Sequence, residues 1–275
     1  MSEKQAQKMG VAARKRLSPQ MEKCCLLLSA NVSYAHAARD VEVLTGVKVS
    51  HSTQQRLVHR YNFTEPQART RVETLSVDGG KVRLRTPQGQ PSEWRDYKAI
   101  TLHEQVCAAF FQENERLVAW VNRQPCNLVT CLGDGHDGVW NLIGGMATLQ
   151  RRRREILDWY HLVENLYKAV GGSLQRLHQV KTDLWHGRID AAIAAFTDWN
   201  PPQVQNFLAY LRKHCQRLPN YRSYQKQGIC IGSGAVESTV KRIGLRLKLS
   251  GAQWNKKNVS QVLKQRCAYL NLAIV

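Results

Sequence analysis

No apolar run in the chain approaches the roughly 18 to 20 residues that a membrane-spanning helix needs. Met1 to Leu17 is basic and polar and lacks the hydrophobic centre of a signal peptide. A membrane partner is thereby excluded, and a cytosolic protein is expected. Cys-x-x-Cys pairs are also missing: the eight cysteines are scattered, and the nearest approach to ligand spacing, Cys126 and Cys131, flanks a Leu-Val-Thr strand. Zinc and disulfide scaffolds are therefore poor readings, and the thiols read as buried apolar residues in a reducing cell. The third scarcity is acid. Twenty-one Asp and Glu face forty Lys and Arg, a formal charge of +19, which points to an acidic polymer as partner. What is present is a 43% apolar content, enough for a true core, over 275 residues, enough for about two domains of roughly 150 residues each.

The shortage of acid is sharpest at the C-terminal end. Glu237 is the only carboxylate after Asp198, in a stretch that carries thirteen Lys and Arg. An acid there repels the phosphates that such a surface attracts, and a cation bridging carboxylate and phosphate gives a reason to keep it. Two glycine-framed aspartates supply partners: Asp78 in Val77-Asp78-Gly79-Gly80 and Asp134 in Leu132-Gly133-Asp134-Gly135-His136. A lone Asp-Gly is ordinarily a turn, so the weight rests on the three acids together in a basic chain. Cleavage of a phosphodiester by two divalent ions needs acids that hold the ions about 3.5 to 4 Å apart. Carboxylate oxygens suit magnesium, with manganese as a substitute.

Along the chain, residues 1–20 read as a flexible basic arm and residues 21–68 as helical. Within the latter, Ser33 to Tyr61 has a break at Gly46 and a cap at Ser52-Thr53, the outline of a helix-turn-helix. From Arg71 the period changes to two. Val72 to Val77 reads as a strand ending at Asp78, Gly79-Gly80 as a tight turn, and Lys81 to Thr86 as the return strand of a hairpin. Trp94 to Leu102 is a further strand, Gln112 to Asn122 a helix and Asn127 to Leu132 a strand presenting Asp134. After Gly138 the pattern is helical, starting with Arg151 to Val170, and no strand is expected before Ile229. Gly232-Ser233-Gly234 then opens a helix with Val236, Val240, Ile243 and Leu247 on its core stripe and Glu237, Lys241, Gly244 and Lys248 on another.

Three segments carry a resemblance to a known family: Ser76-Val77-Asp78-Gly79-Gly80-Lys81-Val82-Arg83, Cys131 to Asn141, and Ile231 to Lys241. Over about residues 72–271 the chain resembles DDE transposases of bacterial insertion sequences, within the Mutator-like group and nearest the Kra type of cyanobacteria. Asp158-Trp159-Tyr160-His161 also matches the Mutator-like pattern of Asp or Cys, two residues, then His. The resemblance implies an α/β fold with a ribonuclease-H-like mixed sheet core, residues 69–145 and 226–275, interrupted by an all-helical insertion, residues 146–225. It implies Asp78, Asp134 and Glu237 as catalytic metal ligands. It favours Asp134 over the nearby Asp137, and gives His136 a supporting or DNA-positioning role. Asp158 and His161 either line the active site with Asn165 and Lys168 or form an intrahelical hydrogen bond on the surface.

The basic run Arg151, Arg152, Arg153 and Arg154 reads either as a solvated face or as phosphate contacts. Lys241, Arg242, Arg246 and Lys248 are further candidates for DNA contact, and Trp254 is either a core cap or a platform on which a base stacks. The implied activity is cleavage of insertion-sequence ends and transfer of the freed 3′ hydroxyl to target DNA. The implied partners are duplex DNA, element ends and target alike, and further copies of the chain assembled on it, in the bacterial cytoplasm at the nucleoid. The region before Asp78 is short for a complete end-recognition domain. A catalytically silent DNA-binding descendant and a host nuclease on the same fold are the alternatives.

Overall fold

The computed structural model describes residues 16–102, 106–146, 153–199 and 201–274, with positions 5 and 8 of the N-terminal arm. Three helices come first: α1 (Pro19–Ser29), α2 (Tyr34–Thr45) and α3 (His51–Arg60). Each is started by a serine whose hydroxyl accepts a first-turn N–H, namely Ser18, Ser33 and Ser50. The third cap thus lies ahead of the expected Ser52-Thr53 pair. Gly46 closes α2 in the left-handed conformation, at φ 70°. Leu26, Val41, Leu57, Val58 and Phe63 form a small core under these helices.

The centre is a five-stranded mixed sheet in the order β3-β2-β1-β4-β5. β1 (Val72–Leu84), β2 (Glu93–Leu102) and β3 (Val106–Phe110) are antiparallel neighbours, while β4 (Cys126–Gly133) and β5 (Arg153–Leu157) run parallel to β1. Between β3 and β4 lies α4 (Asn114–Asn122), and α5 (Asp137–Gly144) follows β4.

Three expectations are corrected here. The hairpin at Gly79-Gly80 does not exist, because β1 runs straight through it with Asp78 opposite Ala99, Gly79 opposite Lys98 and Gly80 opposite Tyr97. The reason for Gly80 is cross-strand space: a Cβ there would fall inside the ring of Tyr97, which is buried. The third antiparallel strand is instead β3, which had not been expected. Residues 153–157, assigned to an all-helical insertion, form β5 at the sheet edge, with Ile156 and Leu157 fully buried.

Beyond β5 the chain is helical: α6 (Trp159–Val170), α7 (Leu174–Trp185), α8 (Ile189–Ala194), α9 (Pro202–Lys213) and α10 (Tyr221–Lys226). Trp159 packs against both Trp185 and Tyr221 at 4.8 Å between ring centroids, which locks the first, second and last of these helices together. The chain then returns to the sheet with α11 (Gly234–Leu247) and α12 (Val259–Leu270). α11 packs on β1 and β2, and α12 on β3. The sheet is therefore covered on both faces. Val77, Ile100, Leu102 and Leu132 join the core shared with the helical unit, while Val82, Tyr97 and Ala99 join the core shared with α11 and α12. Among the described residues, no helix is long and apolar enough to cross a membrane.

Candidate active site

The parallel pairing of β1 and β4 ends at Ser76 opposite Leu132, and both strands deliver an acid just past that point. Asp78 follows on β1, its Oδ1 accepting the Gly79 N–H at 2.6 Å. Asp134 follows on the loop after β4, and its Oδ1 accepts the His136 N–H at 2.9 Å. That loop is shaped from outside by Tyr210 of α9, whose hydroxyl donates to the Asp134 carbonyl at 3.1 Å. Gly135, at φ 93°, is required there twice: by the left-handed backbone, and by the Tyr210 ring, which a Cβ would meet at 2.6 Å.

Glu237 reaches the same place from the first turn of α11, where its Oε1 accepts the Ser233 hydroxyl at 3.3 Å and lies 3.6 Å from His161 Nδ1. Burial pushes the Asp78 carboxyl up from its ordinary pKa. The Gly79 N–H and His161 oppose the rise, while the charges of Asp134 and Glu237 add to it. Asp134 and Glu237 are thus both within electrostatic reach of Asp78.

Asp158 organises this cluster from beneath. It is fully buried at the end of β5 and caps α6, accepting the His161 N–H at 2.7 Å and His161 Nδ1–H at 3.1 Å. Its second oxygen accepts the backbone N–H of Ser233, immediately before α11. Burial alone would push the Asp158 carboxyl up, but the bonds from His161 and Ser233 outweigh it and hold it below its ordinary value. His161 is raised to about 9, chiefly by its bond to Asp158, with Glu237 and Asp134 contributing. It is therefore an imidazolium at neutral pH.

Among the described residues, Asp158, His161 and Glu237 are the one group of three possible ligands whose atoms all lie within 4.8 Å. Both Asp158 oxygens are engaged by N–H donors and His161 spends its Nδ1–H on Asp158, so this group as it stands is an ion-paired node. Asp78, Asp134 and Glu237 do not form a group of this closeness; what links them is the repulsion that Asp134 and Glu237 exert on the Asp78 carboxylate.

The remaining candidates separate cleanly. His136 is exposed and uses its Nδ1 to accept the Gly138 N–H at 3.0 Å, capping α5. Asp137 turns away to Lys213, at 2.6 Å, which lowers its pKa. Lys241, Arg242 and Lys248 are exposed on α11. Arg246 is not on that surface. It is 2% exposed, donating its Nε–H to the Ser29 carbonyl at 2.7 Å, because α1 and α2 cover this flank of α11. Trp254 is likewise no open stacking platform: it is 8% exposed, its Nε1–H donates to the Leu247 carbonyl, and its ring belongs to the core.

Arg151 and Arg152 lie outside the described residues. Arg153 is paired with Glu155 at 2.6 Å, and Arg154 lies over the Tyr224 ring at 5.3 Å. Because they belong to an extended strand, Arg154 is about 13 Å along the chain from Asp158, too far for the contact that a helix would have allowed. Three participants had not been anticipated: Tyr210, Ser233 and Lys98. Lys98 Nζ stands 3.3 Å from where a Gly79 side chain would begin. Only Ser233, in a Gly-Ser-Gly helix start, had a local signal.

The class defined by fold and site is an α/β protein with an acid cluster at the ends of adjacent parallel strands, in a strongly basic chain. No model of a known protein family matches the sequence, and neither does any curated protein.

Proposed function

We propose that the chain is a DDE-type DNA transposase of the insertion-sequence kind, acting on duplex DNA as an assembly of several copies at the bacterial nucleoid. The observation that supports this reading is that Asp134, past the strand parallel to β1, and Glu237, on a helix packed across β1, both act electrostatically on Asp78. The strand order 3-2-1-4-5 and the helical unit between β5 and α11 are compatible with an interrupted ribonuclease-H-like core.

In this reading Asp78, Asp134 and Glu237 hold magnesium or manganese, which when bound supplies Lewis acidity at the scissile phosphate. The chain's other residues position those acids. Tyr210 fixes the Asp134 loop, Ser233 orients Glu237, and the Asp158–His161 pair ties α6 to α11 and keeps a positive charge against the Glu237 carboxylate. Water first breaks the P–O3′ bond at an element end, leaving a 3′ hydroxyl. That hydroxyl then attacks a target phosphodiester and displaces its 3′ oxygen. Exposed Lys241, Arg242 and Lys248 lie on the Glu237 helix, where phosphates would approach.

The test uses the purified chain with a supercoiled donor carrying the DNA that flanks its gene, in magnesium and in EDTA. Cleaved and joined products are expected in magnesium alone. Asp78→Ala, Asp134→Ala and Glu237→Ala should each abolish them and still bind DNA, whereas Asp137→Ala, which loses only an exposed pair with Lys213, should remain near the parent. Cleavage without joining would make the protein a nuclease. Near-normal turnover in any of the three Ala variants would remove that residue from the site.

A further inference from the structure

A second polar cavity, of about 360 Å³, lies on the other side of α11 from Glu237, between α2, α3 and the loop 249–255. Its inner wall is Arg246, held between the rings of Tyr34 and Trp254 with its Cζ 5.1 and 4.8 Å from their centroids. The guanidinium is buried, and its Nη2 has no hydrogen-bond partner among the described residues. The buried Tyr34 hydroxyl is equally unpartnered. Both atoms are shielded from solvent, and a buried donor without an acceptor costs the full desolvation of that group.

The outer wall adds Arg85 and His59, and among the described residues no carboxylate lines the cavity. Arg85 is exposed, and its backbone N–H is bonded to the Trp254 carbonyl at 2.9 Å. A pocket lined by two arginines and no acid selects an anion, and a planar guanidinium held against two aromatic rings matches the oxygens of a phosphate.

We propose that this cavity is a phosphate-binding pocket centred on Arg246, and that it takes a backbone phosphate of DNA lying across α3 and the loop 249–255. The pocket stands on the geometry above, and its assignment to DNA rests on the proposed function. It gives the buried Arg246 a role that its position on α11 alone would deny, and it makes the N-terminal helices and the sheet domain grip one strand together.

The experiment measures binding of the full chain to a fluorescent 30-base-pair duplex over a salt series in EDTA, with inorganic phosphate as competitor at constant ionic strength. The variants are Arg85→Ala, whose exposed side chain can be removed without touching the core, and Arg246→Lys, which keeps the charge and loses the fork. Each should weaken duplex binding roughly tenfold. Arg85→Ala, which loses one charge, should also reduce the salt slope by about 0.9. Inorganic phosphate should compete with the parent and lose that effect in both variants. Parental duplex affinity and parental phosphate competition in folded Arg85→Ala would overturn the pocket, whatever becomes of Arg246→Lys. Phosphate binding that depends on Arg85 while duplex affinity does not would overturn the assignment to DNA in favour of a free phosphate compound. If the parent binds duplex through Arg85 but never cleaves it, the transposase reading fails and the pocket stands.

Discussion

Replacing Asp158 with Asn tests whether the cluster is organised by a buried charge or by the shape of the residue alone. The amide is isosteric, so packing is conserved, but it exchanges one acceptor oxygen for a donor. Asp158 now accepts three N–H groups, two from His161 and one from Ser233, in a fully buried position. Asn can keep the cap on α6 only by turning its NH2 toward the Ser233 N–H, which leaves two donors face to face, while its oxygen still accepts from His161 but no longer carries the charge that pairs with the imidazolium. Breaking a buried, hydrogen-bonded charge pair costs about 3 to 5 kcal/mol. At roughly 2.1 cal/mol/K per residue, unfolding 275 residues has an entropy near 0.6 kcal/mol/K. The melting temperature should therefore fall by about 5 to 9 °C. Calorimetry of parent and variant in EDTA measures this directly. A shift below about 2 °C would refute the reasoning, since it would mean the three bonds contribute nothing net. A loss that appears only when a divalent cation is added would make Asp158 a metal ligand instead.

Two further outcomes follow from the same geometry. The folded His161 has a pKa of about 9, above its ordinary 6.5, so its contribution to stability is complete below pH 6.5 and is lost as pH rises through 9. Urea unfolding in EDTA should show stability falling by up to about 3 kcal/mol across that window, and His161→Gln should flatten the fall; an equal fall in the variant would assign it to another group. Gly80→Ala should force the buried Tyr97 ring off its place on β2 and lower stability by about 1 to 3 kcal/mol, seen as a melting temperature about 2 to 5 °C lower, whereas an unchanged melt would mean that β1 shifts freely at this point.

The helix-glycine-helix outline was legible, but the cap expected at Ser52-Thr53 falls at Ser50 instead, because a run of hydroxyl residues offers more than one start. Ser18, Ser33 and Ser50 each stand three residues before the N–H they accept. Asp78, Asp134 and Glu237 stand out in the sequence because scarcity of acid in a basic chain is visible there, and Asp134 and Glu237 each act electrostatically on Asp78. Gly79-Gly80 misled because the same dipeptide serves a turn and a close cross-strand contact, and the sequence does not say that Tyr97 is opposite. Arg151 to Leu157 misled because β5 is short and ends in two adjacent apolar residues, a pattern with no period of two. Arg246 sits three residues from Ile243 on α11, at the border of the core stripe. What buries it is Ser29 and Tyr34, more than two hundred residues earlier, and no local periodicity reports a contact of that length.

The chain leaves the sheet at Asp158 and comes back at Ser233, and those two points touch. Asp158 accepts the Ser233 N–H, and the Trp159 N–H donates to the Ile231 carbonyl at 3.0 Å. The helices from α6 to α10 therefore form a closed bight, fastened at its neck. A segment fastened in this way can be lengthened, shortened or exchanged without changing the distance that its neck must span, because loop closure grows only slowly with length. Tyr210 and Lys213 of α9 reach back from the bight to the Asp134–Asp137 segment, and the inner faces of its helices share the core of the sheet. A helical module grafted between Asp158 and Ser233 would have to reproduce the apolar face that covers Val77, Ile100, Leu102 and Leu132 as well as a tyrosine placed to meet the Asp134 carbonyl.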